Sequence, residues 1–189
     1  MLRMKTVLLI DGENFKAKIA AVFKTHKKSR PTWHTYNFNS LFQAILSDLH
    51  IDHKIFYFAK IKEDPRTKNK SKQLIEEQRL LKTHLEKTGF SVTLSGRVRG
   101  HMENGALVFK EKGVDVKIAV DMVSFACDQV VKNILLASSD SDLQPAVQEI
   151  KKRHVNCIYI GFENQPNKGL TYTTQQTILI RDYEVLKFV

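Results

Sequence analysis

The sequence contains little glycine, proline and cysteine, and each shortage excludes a class of protein. Eight glycines and four prolines among 189 residues are too few for a collagen-like or low-complexity disordered chain. The two cysteines, Cys127 and Cys157, fall in a helical pattern and in an apolar strand pattern. We expect both to be buried free thiols, which suits a reducing cytoplasm. No Cys/His spacing predicts a zinc site.

Long apolar runs are also absent. No stretch approaches the roughly 18 consecutive apolar residues of a membrane span, so we predict no membrane partner. The first residues lead directly into a strand-like run, without the small-residue cleavage site of a signal peptide. With 42% apolar residues, the chain suits a globular protein, and we predict a single domain over residues 1–189.

Positive charge, by contrast, is abundant. Thirty Lys and Arg residues against twenty Asp and Glu residues give a net charge of +10. Such an excess attracts polyanions, and nucleic acid is favoured over membrane because no amphipathic anchor is evident. The oligomeric state is left open, and a homo-oligomer is compatible with the sequence.

Short apolar runs alternate with helical periodicities along the chain. Four continuous apolar runs are typical of strands covered on both faces: residues 6–10, 54–59, 133–137 and 155–161. Further strand patterns lie at residues 90–98 and 178–180, and helical spacing lies at residues 15–24, 40–49, 71–87, 114–128 and 143–153. Polar segments at residues 25–37 and 99–112 are interpreted as exposed loops. This alternation predicts an α/β fold in three layers, with helices on both faces of a mostly parallel sheet.

Aspartates follow two of the apolar runs at the points where the predicted strands end. Asp11 directly follows VLLI, Asp140 follows ILLASS, and Asp142 comes two residues later at a helix start. In parallel sheets, ligands bind beyond the carboxyl ends of the strands, near the point where strand order reverses. If the two strands are neighbours, Asp11 and Asp140 lie close together.

The segment from Lys112 to Asp115 is a third acidic element. Gly113 permits a sharp turn, and Asp115 falls in the first turn of the next helix, where the helix dipole favours a carboxylate. Asp121 is six residues further on, rotated by about 240° around the helix axis. Asp121 therefore does not share the helix face of Asp115.

Clustered carboxylates without histidine or cysteine partners predict a site for a hard divalent cation. Mg²⁺ prefers oxygen ligands and substrate phosphate, and Mn²⁺ is its natural substitute. Such an ion can activate a water molecule, orient a phosphodiester and neutralise the leaving oxygen. Each residue also has a structural alternative. Asp11 could be a turn residue or helix cap, Asn14 a helix cap, Asp115 a first-turn acid, and Asp140 and Asp142 an N-cap with a dipole partner. Asp121 could instead be a buried partner of a Lys or Arg, or a polar residue of the helix face.

Three segments resemble the NYN domain of the PIN-like nuclease superfamily, in its LabA-like branch. They are LLIDGENF, KGVDVKIAVDMV and ILLASSDSDLQPAVQEIKKRHVNCIYIGF, and the resemblance covers about residues 6–180. It implies a PIN-like α/β sandwich whose acidic residues bind Mg²⁺ or Mn²⁺ for RNA cleavage. It assigns Asp11 and Asn14 to the first motif, Asp115 and Asp121 to the second, and Asp140 and Asp142 to the third.

We therefore predict five catalytic residues: Asp11, Asn14, Asp115, Asp140 and Asp142. The predicted metal ligands are Asp11, Asp115, Asp121, Asp140 and Asp142, with Asp121 included on the resemblance. The third motif usually reads SGDSD, whereas this chain has Ser139 at the glycine position. The serine is expected to narrow the backbone approach to the site while both carboxylates are kept.

RNA-binding surfaces combine phosphate-neutralising cations with aromatic platforms for unstacked bases. The segments after the first helix and after the second strand have this composition, and two arginines near the end of the next strand could join them. The predicted RNA-contacting residues are Lys28, Arg30, Trp33, Lys62, Arg66, Lys68, Arg97 and Arg99, with Tyr36 as a further aromatic residue of the first segment. The alternative is that these are solvated surface charges.

The leading hypothesis is a metal-dependent ribonuclease, an endoribonuclease or RNA-processing enzyme, that uses a metal-activated water held by clustered aspartates. The alternative is an RNA-binding regulatory module whose acidic site is slow or inactive. A phosphatase is less favoured because the DGEN turn lacks the spacing of an aspartyl nucleophile motif. A P-loop NTPase is disfavoured because GxxxxGK[ST] is absent.

Overall fold

The computed structural model describes residues 4–63, 65–103 and 106–188, without the side chains of residues 66, 99–103 and 106–110. Within these ranges the chain forms a seven-stranded sheet with helices packed on it. The strands are β1 (Lys5–Asp11), β2 (His53–Lys60), β3 (Ser91–Glu103), β4 (Ala106–Lys112), β5 (Val131–Ala137), β6 (Asn156–Phe162) and β7 (Gln176–Ile180). The helices are α1 (Gly12–Thr25), α2 (Phe38–Ile45), α3 (Lys68–Lys87), α4 (Val114–Cys127), α5 (Gln144–Lys152), α6 (Lys168–Thr173) and α7 (Asp182–Lys187). Short 3-10 turns at Pro65–Thr67 and Ser141–Leu143 lead into α3 and α5.

The strand order across the sheet is β4-β3-β2-β1-β5-β6-β7. The edge strand β4 pairs with β3 in antiparallel orientation, whereas the other neighbouring strands run parallel. The chain starts in the middle of the sheet, builds outward to β4, and then crosses to β5 on the other side of β1. Strand order therefore reverses between β1 and β5, which is where parallel sheets open a ligand crevice.

Alternate residues of the central strands face opposite layers of helices. In β1, Leu8 and Ile10 pack into one core and Val7 and Leu9 into the other. The first core is formed with α1, α2, α3 and α7, and the second with α4, α5 and α6. Because both faces are covered, the strands are apolar throughout rather than alternating. The predicted three-layer α/β fold with a mostly parallel sheet is confirmed.

Two local features set where the chain leaves the sheet. Asp11 is the last residue of β1 and the N-cap of α1, because its Oδ1 accepts the backbone N–H of Asn14 at 3.2 Å. Gly113 has a φ of +92°, in the left-handed region that favours glycine, and turns the chain from β4 into α4. Asp115 consequently lies in the first turn of α4, as predicted.

The interpretation of residues 99–112 as a loop is wrong. These residues supply the second half of β3 and the strand β4, which pair in a register that runs from Arg97 opposite Lys112 to Glu103 opposite Ala106. The segment is polar apart from a short apolar run at residues 106–109, and β4 lies at an edge, where a strand does not need two apolar faces. The backbone of β4 pairs with that of β3.

Two expectations about burial are also wrong. Cys157 is a buried free thiol, but Cys127 is free and exposed. Cys127 is the last residue of α4, one position around the helix from the buried stripe that ends at Ala126. Tyr36 is fully buried rather than part of an exposed segment, because α7 covers it and its hydroxyl donates to the Val185 carbonyl at 2.8 Å.

The helices also bear on membrane association. Among the described residues, no helix has both the length and the apolar character needed to cross a bilayer.

Candidate metal centre

Three carboxylates converge at the carboxyl edge of the sheet. Asp115, Asp140 and Asp142 each offer one oxygen atom, and these oxygens lie within 4.8 Å of one another. Asp115 comes from the first turn of α4, whereas Asp140 and Asp142 come from the segment directly after β5. The first two are partly buried and Asp142 is exposed. The group is therefore accessible from solvent while two of its members are held in place.

Asp140 also stabilises the segment that carries it. Its Oδ1 accepts the backbone N–H of Asp142 at 2.9 Å, which caps the 3-10 turn at Ser141–Leu143. The structural role that the sequence allowed for Asp140 is therefore real. It leaves the second oxygen of the carboxylate outside this cap, so that capping and ligand binding are compatible.

Asp11 lies beside this group and is linked to it through Ser138. The Asp11 side chain is only 7% exposed. Its Oδ2 accepts the Ser138 hydroxyl at 3.1 Å, and the Ser138 oxygen in turn accepts the backbone N–H of Asp140 at 3.1 Å. The pairing of Ile10 with Ala137 places these residues at the ends of neighbouring strands. The structure thus brings Asp11 and Asp140 together, but Asp11 is not one of the three grouped carboxylates.

The environment of Asp11 disfavours its ionised form. Burial, together with the charges of Asp140 and Glu13, raises the pKa of Asp11 to about 6, against the opposing effect of hydrogen bonds from Asn14 and Ser138. A nearby cation would favour the ionised form of this carboxylate.

Glu111 on β4 is a further acidic residue near Asp11, and the sequence interpretation missed it. Burial, together with the charges of Asp11 and Glu13, raises the pKa of Glu111 to about 7, against a hydrogen bond from the backbone of Ala59 and the charge of Lys16. The strand that carries Glu111 was interpreted as a loop. The available signal was the short apolar run at residues 106–109, which is typical of a strand.

Two asparagines hold the segment that carries Asp140 and Asp142. Asn14 Oδ1 accepts the backbone N–H of Ser139 at 3.0 Å, and Asn167 Nδ2 donates to the Ser139 carbonyl at 2.9 Å. The backbone N–H of Asn167 donates to the Tyr159 hydroxyl at 3.0 Å. The segment is therefore anchored from α1 on one side and from the start of α6 on the other. The sequence indicated Asn14 but not Asn167. The available signal for Asn167 was that asparagine is a preferred N-cap residue at the start of a helix.

The backbone at Ser139 does not require glycine. The non-glycine residues with positive φ among those described are Lys27, Gln129 and His154, so Ser139 is outside the left-handed region. Both of its backbone polar groups are hydrogen bonded. A serine at this position is therefore compatible with the shape of the segment.

Asp121 lies on a different face of α4 from Asp115. Its Oδ2 accepts the Tyr57 hydroxyl at 2.9 Å, and its Oδ1 forms an ion pair with Lys117. The structure does not bring it into the group formed by Asp115, Asp140 and Asp142. Its carboxylate already has a cation and a buried phenol as partners.

The residues predicted to contact RNA are mostly on the surface. Trp33 is partly buried, and the Arg30 guanidinium carbon lies 5.8 Å from the centroid of its ring. Arg66 and Arg99 have side chains outside the described part of the structure. The remaining predicted residues are exposed: Lys28, Arg30, Lys62, Lys68 and Arg97.

A solved structure shares this fold. The crystal structure of VPA0982, a protein of unknown function from Vibrio parahaemolyticus RIMD 2210633, superposes with a TM-score of 0.64 at 19% sequence identity. The similarity covers 94% of this chain and 93% of that chain. It shows the fold and not the activity. No curated protein matches the chain.

The sequence matches the NYN domain over residues 5–180, which is nearly the whole chain. That range includes Asp115, Asp140 and Asp142, and it includes the ends of β1 and β5. The fold, a PIN-like α/β sandwich with a mostly parallel sheet, agrees with this match. The chain therefore belongs to the NYN domain family, within the PIN-like nuclease superfamily.

Proposed function

We propose that the protein is a metal-dependent ribonuclease that hydrolyses RNA phosphodiester bonds. The observation that carries this proposal is the convergence of Asp115, Asp140 and Asp142 at the carboxyl edge of the sheet in an NYN domain. The net charge of +10 supports a polyanionic substrate.

The donor set fits Mg²⁺ or Mn²⁺. It consists of carboxylate oxygens that come within 4.8 Å of one another, and hard divalent cations prefer oxygen ligands. In the described part of the chain, no lysine or arginine forms an ion pair with these three aspartates. Carboxylates grouped in this way repel one another unless a cation or a proton intervenes.

Each residue of the site has a distinct role in this proposal. Asp115, Asp140 and Asp142 hold the ion, and Asp11 adds negative charge from the end of β1. Asp121 is a weaker candidate for a ligand because Lys117 and Tyr57 already engage its carboxylate.

Asn14 acts by positioning, because it holds the backbone of Ser139 and hence the segment with Asp140. A bound divalent cation would neutralise charge on the phosphodiester and lower the pKa of a water molecule. The exposed cations Lys28, Lys62 and Lys68 are proposed to bind RNA phosphates. We place the activity in the cytoplasm, which the free thiols of Cys127 and Cys157 support.

The test compares the wild-type protein with Asp140→Asn on labelled single-stranded RNA and DNA, in Mg²⁺, Mn²⁺ or EDTA. The matched control is Asp128→Asn, an exposed carboxylate at the far end of α4. We expect metal-dependent RNA cleavage by the wild type and the control, and loss of at least about 100-fold in the Asp140 variant.

Two other outcomes are informative. Cleavage that survives both EDTA and the Asp140 substitution would contradict the proposed mechanism. Tight, salt-sensitive RNA binding without cleavage in any metal would favour the alternative, an RNA-binding regulatory module with an inactive acidic site.

A further inference from the structure

An open cleft lies between α1 and α3, beside the start of α1. Its volume is about 540 Å³. Trp33 and Phe58 contribute aromatic rings to its lining, and Leu74 and Gln78 of α3 form the opposite side. Clefts of about 300 to 1,000 Å³ are typical of small-molecule and cofactor sites.

The cleft adjoins the candidate metal centre through Gly12. A Cβ atom at Gly12 would lie 2.1 Å from Cε1 of Phe58, so the Phe58 ring packs directly on the backbone next to Asp11. Glu13, the following residue, lines the cleft. The aromatic cleft therefore begins within two residues of the buried carboxylate at the end of β1.

Two cations lie next to the aromatic rings of the cleft. The Lys16 ammonium lies 5.6 Å from the centroid of the Trp33 ring and 5.5 Å from that of Phe58, and Arg30 lies over Trp33. Cations in this position are attracted to the ring faces. The Trp33 ring stacks on Phe38 of the core, with centroids 6.4 Å apart, and its remaining surface is partly exposed in the cleft, whereas Phe58 is 2% exposed and forms the floor.

The two acidic side chains of the cleft each have a polar partner, and the charges of the adjoining segment are positive. Inside the cleft, Glu13 is paired with Lys16 at 2.7 Å, and Glu77 accepts a hydrogen bond from Gln73 at 2.8 Å. The segment at residues 24–37, called the basic rim here, supplies Arg30 and Trp33 to the lining and contains no acidic residue. Its cations are Lys24, Lys27, Lys28 and Arg30, of which Arg30 lines the cleft.

We propose that this cleft binds one unstacked base of single-stranded RNA against Trp33, with the flanking phosphates on the basic rim. This inference rests on the proposed function, since it identifies the form of the substrate that reaches the acidic group. Aromatic side chains next to cations are the usual platform for unpaired bases. A base in a duplex is already stacked and paired and cannot enter such a cleft.

The first test uses the protein's own fluorescence, because Trp33 is the one tryptophan in the sequence. The wild-type protein is titrated in EDTA, which prevents metal-dependent cleavage during the measurement. The ligands are a short single-stranded oligoribonucleotide, an abasic oligomer of the same length and charge, the corresponding duplex, and polyglutamate. We expect saturable quenching by the single strand alone, since only this ligand offers an unstacked base.

The second test measures the affinity of variants for the labelled single strand. Trp33→Leu is expected to weaken binding by about tenfold or more, and Trp33→Phe, which keeps an aromatic face, to restore most of the affinity. Tyr183→Leu removes an exposed aromatic ring from α7 and serves as the control. Trp33→Leu should leave the salt dependence of binding unchanged, whereas Arg30→Ala should reduce it, because only the arginine contacts phosphate.

The outcomes separate this inference from the proposed function. Quenching by the abasic oligomer, the duplex or polyglutamate equal to that of the single strand would overturn the inference, even if RNA is cleaved. So would unchanged affinity in Trp33→Leu. Base-dependent quenching in a protein that cleaves no RNA in any metal would support the cleft and contradict the ribonuclease. The wild-type titration needs no variant, so a misfolded variant does not prevent a decision.

Discussion

Asp11 combines two roles that make opposite demands on its surroundings. As the N-cap of α1 it accepts the Asn14 backbone N–H, and as a member of the acidic site it is expected to be ionised beside other carboxylates. Burial raises its pKa to about 6. At neutral pH its negative charge is therefore a cost to folding, which a bound cation would offset.

This cost predicts that Asp11→Asn stabilises the protein in the absence of metal. The folded-state pKa lies above the unfolded value near 3.8, so ionisation disfavours the folded state as pH rises from about 4 to about 6. Above about pH 6 the full penalty applies, on the order of 3 kcal/mol. Urea unfolding in EDTA should show the variant to be more stable at about pH 8, with the difference shrinking as pH falls to about 4.

The amide retains an acceptor oxygen for the Asn14 backbone, so the α1 cap survives the substitution. Ribonuclease activity should nevertheless be lost, because the negative charge at the end of β1 is gone. A wild-type protein more stable than Asp11→Asn at about pH 8 in EDTA would contradict this account of the carboxylate.

At the scale of secondary-structure elements, the segment after β5 depends on its neighbours. Asn167 caps α6 through the Leu170 backbone N–H at 2.9 Å and also donates to the Ser139 carbonyl. It thus joins the start of α6 to the segment with Asp140 and Asp142. Its two interactions can be separated by substitution, because a serine keeps the cap but is too short for the second contact.

We predict that Asn167→Ala destabilises the protein by about 1–2 kcal/mol, since both interactions are lost. Asn167→Ser should recover most of the stability. Both variants should bind Mn²⁺ more weakly than the wild type, because the segment with Asp140 has lost an anchor. Urea unfolding and Mn²⁺ titration measure the two effects. If both variants bind Mn²⁺ as tightly as the wild type does, Asn167 caps α6 but does not support the metal site.

The elements also show why the sequence predicted some parts of the fold and not others. β1, β2, β5 and β6 are buried on both faces, so their continuous apolar runs stood out. β4 is an edge strand with only a short apolar run, and no local pattern identifies β3 as the strand that supplies its hydrogen bonds. The short helix α7 was not predicted, although it covers Tyr36.

At the scale of the whole molecule, the metal centre exists only in the folded chain. Asp115 is separated from Asp140 by α4 and β5, and the oxygens come within 4.8 Å only when both elements pack. An ion bound there stabilises the folded state by an amount that grows with its concentration, about 2.7 kcal/mol at 100 times the dissociation constant.

We therefore predict that Mg²⁺ and Mn²⁺ raise the melting temperature of the wild-type protein. Asp140→Asn should abolish most of the shift and Asp128→Asn should keep it. NaCl at matched ionic strength controls for the screening of charge in this basic protein. An equal shift in NaCl, or an unchanged shift in Asp140→Asn, would contradict a specific site. Differential scanning calorimetry measures the shifts directly.

The sequence by itself determined the α/β architecture and the positions of Asp11, Asp115 and Asp140 at element ends, because apolar runs and turn residues are local signals. Only the tertiary structure decided which carboxylates meet. It grouped Asp142 with Asp115 and Asp140 and paired Asp121 with Lys117 instead. It also brought Glu111 near Asp11 from an edge strand. The physical reason is that strand order, and hence which element ends become neighbours, follows from packing between distant segments.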